Sequence, residues 1–222
     1  MVVGLGSGST AACFIRLLGE RVRRGLKVRA IPSSRSSREL AEALGIPLVD
    51  LRRCPEIDVA IDGADQIAPG LALIKGGGGA LLHEKIVASA AARFIVIADY
   101  GKVAARLGGV ALPVEVIPAA CPLVARKLAR MDIAARLRRL DSGADFITEE
   151  GNLILDCDCG AIRAPEALAA TLRNLVGVVE HGLFLHMAER ALVSDGVEVK
   201  TLLAGAGGVE EPAATTGAAL KR

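Results

Sequence analysis

The chain has 222 residues, a formal net charge of +2 and a hydrophobic content of 52%. That length predicts one large domain, or one domain with a small insert, and the apolar content is ample for a core. Aromatic residues make up only 2% of the sequence, so few side chains could stack on bases. The net charge is also too small to indicate binding to a nucleic-acid phosphate backbone. We therefore expect no nucleic-acid partner.

Cysteine usage and hydropathy indicate the compartment. No apolar run approaches the roughly 20 residues needed to span a bilayer, and the sequence shows no signal-peptide pattern. The five cysteines form an odd set without CxxC spacing, which is typical of free thiols in a reducing compartment; they are Cys13, Cys54, Cys121, Cys157 and Cys159. We expect a cytoplasmic protein with no membrane partner.

The first glycine-rich stretch, residues 2–10, reads as a strand end that runs into a turn and then a helix over residues 11–24. A dinucleotide fingerprint would need a third glycine where Ser9 stands, and a P-loop would need a lysine that the stretch lacks. Hydroxyls and amides at a helix N-terminus suit one phosphate group. The candidate phosphate-binding residues are Ser7, Gly8, Ser9 and Thr10. The alternative is a tight turn whose hydroxyls cap the helix.

The following segments alternate between short strands and helices. Residues 27–31 predict a strand, residues 37–44 a helix, and residues 47–50 another strand. The serines of residues 33–37 either cap that helix or line a substrate crevice, and both interpretations stay open. This alternation predicts an α/β fold with a doubly wound, Rossmann-like, mostly parallel sheet.

Residues 58–99 carry the densest set of chemically active side chains. Two buried strands are predicted at residues 59–61 and 94–97, which places Asp62 and Asp65 at the carboxyl end of the first, where such sheets bind ligands. Lys75 is followed by four glycines, and the next helix opens near residue 80 and carries Glu84. Three carboxylates and an ammonium beside exposed amides suit proton chemistry on a small anionic substrate.

The pattern of predicted helices and strands changes in the second half of the chain. Lys102 follows a strand end and is a candidate for the same crevice, and the proline-bracketed strand of residues 112–118 marks a boundary. Short helices and strands then predict a smaller inserted α+β domain. The predicted domains are residues 1–118 with 186–204, the Rossmann-like catalytic domain; residues 119–185, the small domain; and residues 205–222, a disordered tail. Within the small domain we expect strands over residues 145–148 and 153–156.

A metal site is not expected. His83 and Glu84 together suggest a zinc-protease helix, but position 87 is Val where that motif needs a second histidine. His181 and His186 are five residues apart and do not share a helix face well.

Six blocks in unbroken order resemble ribose-5-phosphate isomerase of the A type, over about residues 2–203. They are residues 3–10 (VGLGSGST), 62–65 (DGAD), 75–85 (KGGGGALLHEK), 112–118 (LPVEVIP), 151–156 (GNLILD) and 177–184 (GVVEHGLF). A single glycine loop would be weak evidence, whereas six ordered blocks are specific.

The resemblance implies an aldose–ketose isomerase that interconverts D-ribose 5-phosphate and D-ribulose 5-phosphate in the non-oxidative pentose phosphate pathway. It implies Glu84 as the general base. The chemistry of the other catalytic candidates favours Lys75 for stabilising the developing negative charge and Asp62 and Asp65 for handling hydroxyl protons, and either aspartate could open the sugar ring. The resemblance also implies that the substrate is contacted by Ser7, Gly8, Ser9, Thr10, Gly63, Ala64, Gly76, Gly77, Gly78 and Lys102. The family uses no metal or organic cofactor and forms homodimers or homotetramers.

The sequence departs from the family pattern at a few places. Gln66, His83 and Gly101 stand where the family normally has Glu, Arg and Ser, and the usual amphipathic helix does not precede Val2. We expect these departures to weaken substrate binding and to reduce the packing that supports the first strand. Two alternatives remain: a non-catalytic sugar-phosphate-sensing domain of related fold, and a coenzyme A transferase-like protein.

Overall fold

The structure is a computed structural model that describes residues 1–204. The tail expected to be disordered, residues 205–222, lies outside the described residues. The strands are β1 (Val2–Leu5), β2 (Arg29–Pro32), β3 (Val59–Asp62), β4 (Gln66–Ala68), β5 (Ala72–Ile74), β6 (Phe94–Asp99), β7 (Leu112–Val116), β8 (Ala134–Leu137), β9 (Leu153–Asp158), β10 (Val178–His181), β11 (Leu183–Phe184), β12 (Arg190–Ser194) and β13 (Val199–Leu203). The helices are α1 (Gly8–Arg23), α2 (Arg35–Ala43), α3 (Leu81–Ser89), α4 (Cys121–Ala129) and α5 (Pro165–Arg173).

The largest sheet has six strands in the order β13-β12-β6-β3-β1-β2. The five strands from β12 to β2 are parallel, and β13 pairs antiparallel with β12 at one edge. Because the carboxyl ends of parallel strands meet at one edge of the sheet, the loops after β1, β3 and β6 come together there. This edge positions the candidate site.

Helices cover both faces of this sheet. Successive residues of a strand point to opposite faces, so Val3 packs in a cluster with Ile15 of α1 and Ala41 of α2. Val2 packs in a different cluster, which includes Val87 of α3. The predicted fold class, a doubly wound and mostly parallel sheet with a smaller α+β insert, is therefore confirmed.

The insert is built around an antiparallel sheet in the order β10-β7-β9-β8, with α4 and α5 packed on it. In a third, three-stranded antiparallel sheet, β11-β5-β4, the hairpin that follows β3 pairs with the short strand that follows β10. The domain boundaries stay a prediction, and the pairing of β7 with β9 and β10 favours a division that begins before Leu112.

Several local predictions differ from the structure. The strands expected at residues 47–50 and 145–148 were wrong: these segments form only isolated bridges, at Leu48, Asp145 and Ile147. Conversely, β8 and the β4–β5 hairpin were missed, because short edge strands carry little periodicity. The serines before α2 do form a capping box, in which Ser34 Oγ accepts a hydrogen bond from Ser37 N.

None of the helices within residues 1–204 combines the length and the apolar character that are needed to cross a membrane.

Candidate active site

Asp62 is the last residue of β3 and anchors the site. Its Oδ1 accepts hydrogen bonds from Ser7 N at 2.9 Å and from Gly63 N at 2.7 Å. A Cβ added at Gly6 would lie 2.0 Å from that oxygen, so the close approach of the two loops requires glycine there. The carboxylate therefore ties the turn after β1 to the turn after β3.

Lys75 follows β5 and points into the same place. Its Nζ lies 2.9 Å from Asp62 Oδ2, 3.3 Å from Glu84 Oε2, and donates a hydrogen bond to Gly63 O at 2.7 Å. The residue is 2% exposed. Burial lowers its pKa, but the attraction of Asp62 and Glu84 outweighs burial, so the pKa lies above the ordinary value. Lys75 is a fixed ammonium that links two carboxylates.

Glu84 projects from the first turn of α3 and is 5% exposed. Its pKa is raised to about 7, chiefly by burial and in part by the charges of Asp62 and Asp65, while the attraction of Lys75 opposes the rise. Its Oε2 forms the ion pair with Lys75, but within residues 1–204 no group is placed to donate a hydrogen bond to it. A carboxylate with a pKa near neutrality and an unbonded oxygen is suited to taking up a proton.

Asp65 connects the acidic loop to the glycine loop. Its Oδ2 accepts a hydrogen bond from Gly77 N at 2.7 Å, and its carboxylate is half-buried. An added Cβ at Gly77 would lie 2.8 Å from Asp65 Oδ1, so the glycine permits this contact. Asp65 thus faces the open side of the cluster.

These residues surround a cleft of about 230 Å³. The lining includes every predicted substrate-contacting residue, namely Ser7, Gly8, Ser9, Thr10, Gly63, Ala64, Gly76, Gly77, Gly78 and Lys102. It also includes Asp65, Lys75 and Glu84, whereas Asp62 lies beneath the lining and bonds to Lys75. The structure therefore brings all fourteen predicted site residues together.

One residue of the cleft was missed from the sequence. Asp99 ends β6 and lines the cleft beside Lys102. It stands at the carboxyl end of a strand parallel to β3, which is the same signal that singled out Asp62.

One end of the cleft is formed by the N-terminus of α1. The first amides of a helix have no intrahelical acceptor, and Gly8, Ser9 and Thr10 line the cleft there. The Ser7 side chain does not cap the helix; its Oγ lies 2.9 Å from Ser33 Oγ. The free amides and the helix dipole make this end suited to an anion such as phosphate.

Within residues 1–204 no group of three or more His, Cys, Asp or Glu side chains is arranged to hold a metal ion. The chemistry of the site is that of carboxylates, an ammonium and backbone amides.

A doubly wound sheet whose strand ends bring together a buried carboxylate, a buried ammonium and the N-terminus of a helix is typical of an enzyme that acts on a small anionic substrate. The profile of the family described as Ribose 5-phosphate isomerase A (phosphoriboisomerase A) matches residues 29–197. The chain belongs to this family.

Individual relatives agree with the family profile along most of the chain. Ribose-5-phosphate isomerase A of Roseiflexus sp. (strain RS-1) is 52% identical over 202 residues, covering 89% of this chain and 87% of its own. Among solved structures, ribose 5-phosphate isomerase A from Methanocaldococcus jannaschii superposes with a TM-score of 0.87 at 43% identity, covering 91% of each chain. A D-ribose-5-phosphate isomerase in complex with phospho-erythronic acid gives a TM-score of 0.88 at 39% identity, covering 91% of this chain and 90% of the other.

Proposed function

We propose that this chain interconverts D-ribose 5-phosphate and D-ribulose 5-phosphate through an enediolate, with Glu84 as the base that carries the proton. The observation that supports this most strongly is the burial of Glu84 beside Lys75 in the cleft, with a pKa of about 7. Membership of an aldose–ketose isomerase family fits the same chemistry.

The proton transfer needs one carboxylate over the C1–C2 edge of the open-chain sugar. Glu84 removes the C2 proton of ribose 5-phosphate, and the C–H electron pair forms the C1–C2 double bond while the C1 oxygen gains negative charge. The protonated Glu84 then returns the proton to C1, the proton of the C2 hydroxyl passes to the C1 oxygen, and the ketose results. A positioned base contributes on the order of 10²–10⁴-fold to such a step.

Negative charge on the enediolate needs preorganised donors. Lys75 lines the cleft as a buried ammonium, and Gly76 to Gly78 line the same space, where the Gly77 amide donates to Asp65 and the amides of Gly76 and Gly78 are further candidate donors. Removing one such donor typically costs on the order of 10²–10³-fold. We assign the stabilisation of the enediolate oxygens to Lys75 and these amides.

The two aspartates have different surroundings, which favours different roles. Both oxygens of Asp62 are engaged, Oδ1 by two amides and Oδ2 by Lys75, so Asp62 is suited to holding the ammonium in place. Asp65 is half-buried and lines the cleft, so it is better placed to exchange hydroxyl protons and to open the furanose ring.

The phosphate is assigned to the N-terminus of α1 at Ser7 to Thr10, with Lys102 adding a positive charge from the loop after β6. The related structure is in complex with phospho-erythronic acid, a sugar acid that carries a carboxylate and a phosphate. Such a ligand is compatible with a cleft lined by Lys75, Glu84 and the N-terminus of α1.

The test is turnover of ribose 5-phosphate in D₂O with EDTA present, followed by NMR of the product. The proposal expects ribulose 5-phosphate with deuterium at C1, because the base exchanges its proton with solvent, and no loss of rate with EDTA. A protein that binds ribose 5-phosphate without turnover would be a sugar-phosphate sensor instead. Transfer of coenzyme A with no isomerisation would indicate the transferase-like alternative.

We also propose a cytoplasmic location and a homo-oligomeric assembly. A cytoplasmic location is supported by the five cysteines, none of which is paired in the described residues. The homodimer or homotetramer implied by the family resemblance is tested by light scattering after size-exclusion chromatography.

A further inference from the structure

Lys85 is a buried charged residue that the proton-transfer scheme does not use. It follows Glu84 in α3, and its Nζ donates hydrogen bonds to Glu180 Oε1 at 2.8 Å, His181 O at 2.6 Å and Leu183 O at 2.8 Å. All three acceptors belong to β10, β11 and the turn between them. Lys85 therefore fastens the helix that carries Glu84 to this turn.

The same turn supports the backbone of Lys75. Gly182 O accepts a hydrogen bond from Lys75 N at 2.9 Å, and a Cβ added at Gly182 would lie 2.3 Å from Lys75 O. The next strand, β11, pairs with β5, so that Phe184 lies opposite Leu73. The turn thus contacts both Lys75 and Lys85 through backbone atoms.

One aromatic ring connects the two ammonium groups. Phe184 is fully buried, and the centroid of its ring lies 5.4 Å from Lys75 Nζ and 4.7 Å from Lys85 Nζ. The face of an aromatic ring attracts a cation, and the attraction grows when water is excluded. The ring is therefore in a position to restrict where the Lys75 ammonium lies.

We propose that Lys85 and Phe184 are positioning residues for the isomerisation, which hold the Lys75 ammonium against Glu84. This inference rests on the proposed function of Glu84 as the base. Lys85 fixes the turn to α3, the strand β11 that follows the turn carries Phe184, and Phe184 restrains Lys75, which lies 3.3 Å from the base.

The pKa of Glu84 reports the position of the Lys75 ammonium, so a displacement of Lys75 can be measured. Besides burial, the leading influences on the pKa of Glu84 are Lys75, Asp62 and Asp65, and Lys85 is not among these. Lys85 itself interacts with Glu180, His181 and Arg173. A change at Lys85 that alters the pKa of Glu84 therefore acts through the placement of Lys75 rather than through direct charge.

The experiment compares Lys85→Met, Lys85→Arg and Phe184→Leu with the unaltered chain. Each variant is tested for kcat, KM, the pH profile of kcat/KM and thermal unfolding. The matched control is Leu128→Ala, a fully buried residue of α4 in the core of the insert, which lowers stability without contacting the network. Turnover by the unaltered chain and its loss in Glu84→Gln test the proposed function separately.

We expect Lys85→Met and Phe184→Leu to lower kcat about 10-fold or more, since small misplacements of catalytic groups are costly. KM should change little, and the acidic limb of kcat/KM should move to higher pH because Lys75 then lowers the pKa of Glu84 less. Lys85→Arg should restore much of the rate, and Leu128→Ala should keep the normal pH profile.

The proposal is overturned if Lys85→Met and Phe184→Leu keep the normal kcat and the normal acidic limb. It is equally overturned if their losses only follow the fall in thermal stability seen with Leu128→Ala. Should Lys85→Met fail to fold, Phe184→Leu decides the question with the same readouts, because it leaves the hydrogen bonds of Lys85 intact.

Discussion

The ammonium of Lys75 lies 3.3 Å from Oε2 of Glu84, and both side chains are almost completely buried. Burial alone would raise the pKa of Glu84 far above its ordinary value, and the attraction of Lys75 opposes that rise. The pKa of about 7 therefore reflects burial and the charges of Asp62 and Asp65, which raise it, against the attraction of Lys75, which lowers it. Near neutral pH such a carboxylate both accepts and releases a proton readily.

The first prediction concerns pH. Because the base must begin without its proton, kcat/KM should fall as the pH drops below about 7, the pKa of Glu84 in the ligand-free protein. The measurement is kcat/KM for ribose 5-phosphate between pH 5 and 9. A profile that stays flat down to pH 5 would contradict the assignment of this pKa to the base.

The second prediction concerns Lys75→Met. Removing the ammonium leaves Asp62 and Glu84 close together without a cation, and breaking a buried ion pair in this way costs about 3–5 kcal/mol. The acidic limb of the pH profile should move to higher pH, because the charge that lowers the pKa of Glu84 is gone. Urea unfolding and the pH profile measure the two effects. An unchanged limb would show that Lys75 does not set the pKa of the base.

Part of this site could be predicted from the sequence because its signals are local. Asp62 follows a recognisable buried strand, and Glu84 follows a glycine run that opens a helix. Strand ends of a parallel sheet meet at one edge, so residues far apart in sequence are expected in one place. The same argument applied to β6 would have found Asp99.

The remaining features depend on contacts that no local pattern carries. Lys75 has three protein partners, which follows from how β3, β5 and α3 pack together. Lys85 contacts residues that are far from it in sequence: its hydrogen-bond partner Leu183, which precedes Phe184, is 98 positions away. Sequence periodicity reports which residues are buried but not which buried residues touch.

The third prediction concerns Gly6→Ala. The new Cβ would lie 2.0 Å from Asp62 Oδ1 and 2.5 Å from Asp62 Cα, so the turn after β1 or the end of β3 must move. We expect a loss of about 3 kcal/mol in unfolding free energy, together with a fall in kcat. Gly101→Ala is the control, since a Cβ there meets nothing within 4 Å. Equal behaviour of the two variants in urea unfolding would contradict the close packing described here.

The fourth prediction concerns Ser9→Asp at the N-terminus of α1. A carboxylate in the first turn of a helix is favourable by about 0.3–1 kcal/mol, so thermal stability should hold or rise slightly. The same charge repels a phosphate, and about 1.4 kcal/mol of repulsion raises KM tenfold. Ser9→Asn, which adds a similar volume without charge, is the control. An unchanged KM in Ser9→Asp would place the phosphate elsewhere.

The most direct test of the account is the turnover of ribose 5-phosphate by Glu84→Gln, measured beside its thermal unfolding. Glutamine keeps the shape of the side chain but cannot take up the proton. We expect kcat to fall on the order of 10²–10⁴-fold with a folded protein and little change in KM. A folded Glu84→Gln variant that retains near-normal turnover would contradict the central claim that this carboxylate moves the proton.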